Sequence, residues 1–254
     1  MRIMNLLLAA TLLFLNSESI LAHGTETRGE IKLSGETVIK AGEVTLSFKF
    51  YDKKEKRNLA DTDLAIVHEK TLHVFIFDEA LIEFRHVHPE FDGQYWTVTT
   101  DLPVNGEYWI WGDGKLAAGT KEEITGSSGF EIIEGDEAND AVVLEDIRTG
   151  EDGNSITTIA STKIVAKKSV MLNLSFARKD GTSPEITPYL GANAHVTAVS
   201  DDGDTFVHAH PMEHGGQLMI HMTFPVKGTY RLWIQFIDGE ELRTVPLSVK
   251  VLGS

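Results

Sequence analysis

The stretch "LHVFIFDEALIEFRHVHPEFDG" at residues 72–93 returns later in the chain, in diverged form, as "AHVTAVSDDGDTFVHAHPMEHG" at residues 194–215. The two copies lie 122 residues apart and share three histidines with the spacing His-x12-His-x-His-Pro. The match continues without a gap from "LPVNGEYWIW" (102–111) to "FPVKGTYRLW" (224–233). Self-similarity of this length indicates a duplicated domain.

The sequence around the two copies has the pattern of β-strands. Apolar and polar residues alternate in "EVTLSFKFY" (43–51), in "SVMLNLSF" (169–176) and in "VPLSVKVL" (245–252). Such runs recur between Gly, Asn, Asp and Pro turns, and no long stretch keeps a helical period. The sequence therefore predicts an all-β chain of two consecutive antiparallel β-sandwich domains, of immunoglobulin-like or cupredoxin-like build.

The domain boundaries follow from an acidic stretch between the copies. "EGDEANDA" (134–141) is polar and lacks apolar periodicity, as linkers do. We predict a first domain at residues 23–135, a linker at 136–141 and a second domain at 142–254.

The amino-terminal segment, residues 1–22, resembles a secretory signal peptide. Arg2 provides the charged start, and residues 6–15 form an apolar run too short to span a bilayer. Small residues lead to Ala22, after which we expect cleavage. The mature protein is therefore expected to be exported, to the periplasm of a bacterium or beyond it.

The composition narrows the classes of function. The 254-residue chain has a formal net charge of −15, whereas nucleic-acid-binding proteins usually display a clustered basic face. We therefore expect no nucleic-acid partner. The chain has no cysteine, which excludes disulfides, a lipoprotein anchor and a blue-copper site with its thiolate ligand. Beyond the amino-terminal segment, no stretch is long and apolar enough for a membrane span.

The shared histidines of each copy have the spacing of a metal site. Residues i and i+2 of a strand point to the same face, so His86 and His88 should project side by side. His73 lies on the preceding predicted strand, from which a cross-strand neighbour can converge with the pair. Three neutral imidazoles suit a divalent transition metal, copper or zinc, with one coordination position left open. The predicted ligands are His73, His86 and His88 in the first domain and His195, His208 and His210 in the second.

A structural role for these histidines is the alternative. An imidazole on the apolar face of a strand can bond to backbone carbonyls, and a His-Pro pair can close a strand. The common register of all three histidines in two otherwise diverged copies favours the metal interpretation. The cost of burying imidazole nitrogens without partners favours it as well.

Other residues near the motifs are weaker candidates. His68 precedes the first set, but Leu190 takes its place in the second copy. If the chain is cleaved after Ala22, His23 becomes the amino terminus, where its amine and ring could chelate copper(II). Additional methionines and histidines follow the second motif. They could provide further metal ligands to the second site or, as the plainer alternative, pack in the core: Met212, His214, Met219, His221 and Met222.

Two stretches, "VHEKTLHVFIFDEALIEFRHVHPEFDG" and "YLGANAHVTAVSDDGDTFVHAHP", resemble exported bacterial proteins with tandem β-sandwich domains, some of them YtkA-like. The paired His-x-His-Pro motifs are the most specific part of this resemblance. The family pattern His-Glu-Lys-x-x-His is matched from His68 to His73, whereas Ala194 stands where the family favours glycine. The resemblance implies an envelope role connected with metal handling.

Three functions remain open at this stage. The first is a periplasmic metal-binding protein that buffers copper or zinc or passes it to an envelope protein partner. The second is a non-enzymatic interaction scaffold with structural histidines. The third, ranked last, is a metal-dependent hydrolase or oxidase with Glu90 as base, because Met212 stands at the equivalent position of the second copy.

Overall fold

The structure is a computed structural model that describes residues 27–117, 122–214 and 217–253. The predicted signal peptide and His23 lie outside the described residues. Within those ranges the chain consists of β-strands and one short 3-10 helix, Asp61–Asp63, without any α-helix. The prediction of an all-β chain is confirmed. None of the described residues forms a helix of the length and apolarity that a membrane crossing requires.

The first half of the chain folds into two five-stranded sheets, with the orders β1-β3-β8-β7, in which β4 also pairs with β3, and β2-β10-β9-β5-β6. All neighbouring strands are antiparallel except β2 and β10. The strands are β1 Gly29–Ser34, β2 Val38–Lys40, β3 Gly42–Asp52, β4 Arg57–Leu59, β5 Leu72–Asp78, β6 Phe84–Val87, β7 Glu90–Phe91, β8 Trp96–Leu102, β9 Gly106–Lys115 and β10 Glu123–Ile133.

The second half repeats this plan with the sheets β11-β12-β13-β18-β17 and β14-β19-β15-β16, in which β20 also pairs with β19. The strands are β11 Thr149–Asp152, β12 Ser155–Ala160, β13 Ser169–Arg178, β14 Ile186–Thr187, β15 His195–Ser200, β16 Phe206–Ala209, β17 Met212–His214, β18 Gln217–Thr223, β19 Gly228–Asp238 and β20 Glu241–Val251.

Each half has its own apolar core between its two sheets. On β3 the alternation predicted from the sequence is realised, since Val44, Leu46, Phe48 and Phe50 are all buried. Each half also contains a tyrosine corner, a hallmark of immunoglobulin-type sandwiches. In the first half, the Tyr108 hydroxyl donates to the carbonyl four residues upstream at 3.0 Å, and the equivalent tyrosine of the second half does the same at 3.0 Å.

Strand β5 is buried on both of its faces, and this determines how the two halves meet. Val74 and Ile76 face the first core, whereas Phe75 and Phe77 pack into a third apolar cluster that also contains residues of the second half. We call this cluster the interdomain core. Its buried members are Phe75, Phe77, Leu81, Phe84, Trp111, Val199, Phe206 and Trp233.

The contacts across the interdomain core are reciprocal. The ring of Phe84 stacks on Trp233, with centroids 4.4 Å apart and planes at 11°. The equivalent pair has the two domains exchanged: the ring of Phe206 from the second domain stacks on Trp111 of the first, with centroids 5.1 Å apart and planes at 15°. Because each half contributes the same pair to the other, the two domains meet as two copies do in an isologous dimer.

The segment between the two halves packs against the first one. The side-chain amide of Asn139 donates to the Asp78 carboxylate at 2.9 Å, and the backbone N–H of Val142 donates to the Ala80 carbonyl at 3.4 Å. Leu144 then packs on the interdomain core. The predicted linker residues therefore lie along the first domain, and the domain boundaries themselves stay a prediction.

Replacing Trp233 by alanine should destabilise the protein strongly, because this side chain is only 2% exposed and stacks across the interface. We expect the free energy of unfolding to fall by about 3–5 kcal/mol. Urea denaturation followed by circular dichroism measures it. The matched control is Ile66→Ala, whose side chain is 74% exposed, and which should change stability by no more than about 0.5 kcal/mol. Equal effects of the two substitutions would contradict a packed interface.

Candidate metal centre

The six predicted ligands lie on the faces of the two sheets that meet at the interface. In the first domain β5 and β6 pair so that Phe75 lies opposite His86, and the same register brings His88 beside His73. The second domain repeats this pairing with Thr197 opposite His208. The alternation of strand residues, which the sequence predicted, thus directs each set of histidines toward the other domain. We call the sets the first triad (His73, His86, His88) and the second triad (His195, His208, His210).

Within each triad, one ring nitrogen of every histidine lies within 4.8 Å of the others. In the first triad, His73 Nδ1 is 3.1 Å from His86 Nε2 and 3.2 Å from His88 Nε2. Ligand nitrogens at 2.0–2.1 Å from a tetrahedral ion are about 3.3 Å apart. These two distances are close to the edge of a metal tetrahedron.

Hydrogen bonds fix the tautomers of two histidines in the first triad. His73 Nε2 lies 3.0 Å from the carbonyl of Val67, which only accepts, so Nε2 carries the proton and Nδ1 carries the lone pair. His86 Nδ1 lies 2.8 Å from Gln235 Oε1, which leaves the lone pair on His86 Nε2. Two lone pairs thus face each other at 3.1 Å. This contact is repulsive unless a proton or a metal ion lies between the two nitrogens.

The second triad has the equivalent arrangement. His195 Nε2 donates to the carbonyl of Tyr189 at 2.8 Å, and His208 Nδ1 lies 2.8 Å from the carboxylate of Asp113. The remaining nitrogens, His195 Nδ1, His208 Nε2 and His210 Nε2, are buried and have no hydrogen-bond partner. Buried polar atoms without partners are rare in proteins and each needs an explanation. A cation bound to all three would supply it.

The two triads meet across the domain interface. The ring centroids of His86 and His195 are 5.4 Å apart, and those of His73 and His208 are 5.6 Å apart. A seventh ring, His68, lies against His210 of the other domain, with centroids 3.7 Å apart and planes tilted by 31°. The sequence pattern left open whether the sites lie apart or together, and the structure joins them in one layer of imidazoles.

Burial and mutual repulsion keep these imidazoles neutral. Burial lowers the pKa of His86 and of His208 well below the usual 6.5, and neighbouring histidines lower each further. Burial likewise lowers the pKa of His88 to about 3 and that of His195 to about 4. Burial raises the pKa of Asp113 to about 7, and the nearby His73 offsets part of this rise. Neutral imidazole is the form that binds metal.

The additional candidates of the second half lie elsewhere. Met222 is 2% exposed and packs in the second core, whereas Met212 is 60% exposed on β17. His221 is exposed and pairs with Met171 on an outward face. His221 belongs to neither histidine group in the part of the chain that the structure describes. Core packing, the plainer of the two alternatives, therefore holds for Met222, whereas Met212 and His221 lie at exposed positions.

Sequence reasoning missed the two residues that orient the central histidines, Asp113 and Gln235. They occupy equivalent positions of the repeat, on β9 and β19. The available signal was a polar residue two positions after Trp111 and Trp233, within the most apolar part of each strand. That spacing puts each polar residue on the same face of its strand as a tryptophan that both copies of the repeat share.

The chain belongs to a protein family described as Domain of unknown function (DUF8832), whose model matches residues 25–125 and again residues 149–253. The double match confirms the tandem repeat inferred from the sequence. The YtkA-like part of the resemblance stays a prediction. No curated protein matches the chain significantly.

Solved structures share the sandwich architecture at low identity. The FdeC adhesin of Escherichia coli is 14% identical, with a TM-score of 0.28, over 91% of this chain and 66% of that one. The fibronectin(III)-like modules of CbhA from Clostridium thermocellum are 12% identical, with a TM-score of 0.24, over 89% of this chain and 94% of that one. The chain spans 15% of the matched Salmonella alpha-2-macroglobulin. TM-scores in this range carry no implication for function.

The metal-free protein should lose stability as the pH falls from about 7.5 to about 5, because the unfolded histidines bind protons near pH 6.5 and the buried ones do not. The lowered histidine pKa values set this sign. The raised pKa of Asp113 acts in the opposite direction, but it is one group against several. Urea denaturation of chelator-treated protein at both pH values measures the effect. A midpoint that stays constant or rises toward pH 5 would contradict the buried, neutral triads.

Proposed function

We propose that the protein is an exported bacterial envelope protein that binds copper or zinc, one ion at each triad, and buffers the metal or delivers it to a partner. The observation that carries this proposal is the set of buried imidazole nitrogens without a donor: His195 Nδ1, His208 Nε2 and His210 Nε2. The three histidines each bring a ring nitrogen within 4.8 Å of the others, and a metal ion would satisfy all three at once.

The ligand set restricts the metal. Imidazole suits zinc, copper, iron and nickel, and the absence of cysteine removes the thiolate that would favour a softer site. Copper(II) binds nitrogen ligands more tightly than zinc in the Irving–Williams order. Three protein ligands leave a coordination position for water or for a ligand of the receiving partner. Such an open position suits transfer better than permanent storage.

The cellular setting is part of the proposal. The apolar run at residues 6–15 after Arg2 supports export, and cleavage after Ala22 would release the two domains. The absence of cysteine fits a bacterial envelope better than a eukaryotic secretory route. The resemblance to exported tandem-sandwich proteins, some of them YtkA-like, points the same way.

Two other functions stay as alternatives. In the first, the domains form an interaction scaffold, and the histidines only stabilise the interface together with the stacked aromatic rings. In the second, a metal at the first triad activates water for hydrolysis or oxidation. Glu90 lines the surface cleft beside His86 and His88, but Met212 holds the equivalent place. We therefore rank the catalytic function last.

Metal titration of the untagged mature protein, residues 23–254, tests the proposal. We expect about two copper(II) or zinc(II) ions per chain, read by elemental analysis after desalting. The double substitution His86→Ala with His88→Ala should remove one ion, and His208→Ala with His210→Ala should remove the other.

The matched control is His221→Ala, which removes an exposed histidine outside both triads and should retain both ions. Circular dichroism establishes that the variants remain folded. No retained metal in the wild-type protein would overturn the proposal and favour the scaffold. Metal that is lost with His221 but kept without the triads would place binding elsewhere.

A further inference from the structure

We propose that the two triads are unequal: the second triad retains its metal, the first triad exchanges it, and Asp113 and Gln235 are the positioning residues that set this order. This inference rests on the proposed metal binding and goes beyond it. The repeat makes the two triads equivalent in ligands, so their difference must come from the residues around them.

The first observation is an exchange of hydrogen-bond partners between the domains. Asp113 lies opposite His73 in the β5–β9 ladder, yet its carboxylate bonds to His208 of the second domain. Gln235 lies opposite His195 in the β15–β19 ladder, yet its side chain bonds to His86 of the first domain. Each domain thus supplies the group that orients the central histidine of the other domain.

The second observation is the chemical difference between these two groups. A carboxylate that accepts from the outer N–H of a metal-bound histidine raises the basicity of the ligating nitrogen more than a neutral carboxamide does. The second triad therefore has a carboxyl group behind its central ligand, where the first triad has a carboxamide.

The residues on the loops beside the triads also favour tighter metal binding at the second triad. Lys70, a cation, lines the cleft beside His86 and His88, whereas Ala192 stands at its equivalent position. A positive charge beside a cation site weakens binding there. His68 covers His210 with its ring at 3.7 Å, and the equivalent residue of the second domain is Leu190.

The first triad also has a route to solvent. It borders a surface cleft of about 550 Å³, whose lining includes His86, His88, Lys70 and Glu90. An incoming ligand that competes for the metal can therefore reach the first triad through this cleft. Weaker binding and an open path together define the exchangeable site.

Each triad can be measured alone in a chain whose other triad is removed by the paired alanine substitutions. Zinc(II) affinity is read by competition with a chromophoric chelator. We expect the second triad to bind at least about 10-fold more tightly than the first. Asp113→Asn should weaken the second triad about 10–100-fold and the first triad much less, since Asp113 lies opposite His73 but bonds to His208. Gln235→Glu should tighten the first triad, a gain that a merely structural side chain would not give.

The matched control is Asp92→Asn, a carboxylate of the first domain on the exposed turn before Tyr95. It should change neither affinity. Equal affinities of the two triads, or an Asp113→Asn variant that keeps the wild-type affinity at the second triad, would overturn this inference while leaving metal binding intact. A wild-type chain without any bound zinc would instead overturn the proposed function.

Discussion

The packing of one histidine-bearing sheet against the other is the constraint on which the rest of the structure depends. Six imidazoles are placed between two apolar surfaces, and unsatisfied polar nitrogens there cost about 1–3 kcal/mol each. The aromatic stacks of the interdomain core, Phe84 on Trp233 and Phe206 on Trp111, lie beside them and supply the apolar burial that offsets this cost. The interface therefore holds the domains together and buries most of the candidate metal centre.

Duplication explains why the interface is reciprocal and why the two triads could diverge. Equivalent strands carry the ligands, and equivalent carbonyls, of Val67 and Tyr189, fix the first histidine of each triad. Once both copies existed in one chain, each position could change without its twin. The pairs Asp113 and Gln235, or His68 and Leu190, differ for that reason. A symmetric dimer of a single domain could not separate a retaining site from an exchanging one.

Much of the local structure could be predicted from the sequence, because strand alternation and an ungapped repeat are strong signals. The strand carrying His86 and the convergence of His73 on it followed from the spacing of two residues and from cross-strand pairing. The interface could not be predicted in the same way. The run "LHVFIF" is apolar on both faces, which indicates double burial but does not identify the second surface. The partners Asp113 and Gln235 act across that surface, so their position after a tryptophan marks their face of the strand but not the histidines that they contact.

The exchanged hydrogen bonds couple the two domains to the metal. His86 is oriented by Gln235 of the second domain, and His208 is oriented by Asp113 of the first. A ligand that binds only the docked arrangement stabilises that arrangement by mass action. Metal at either triad should therefore strengthen the docking of the domains, and loosening of the interface should weaken both triads together. The lone pairs of His73 and His86 that face each other at 3.1 Å make the metal-free interface costly. A bound cation removes this cost, so the docked arrangement is favoured most when metal is present.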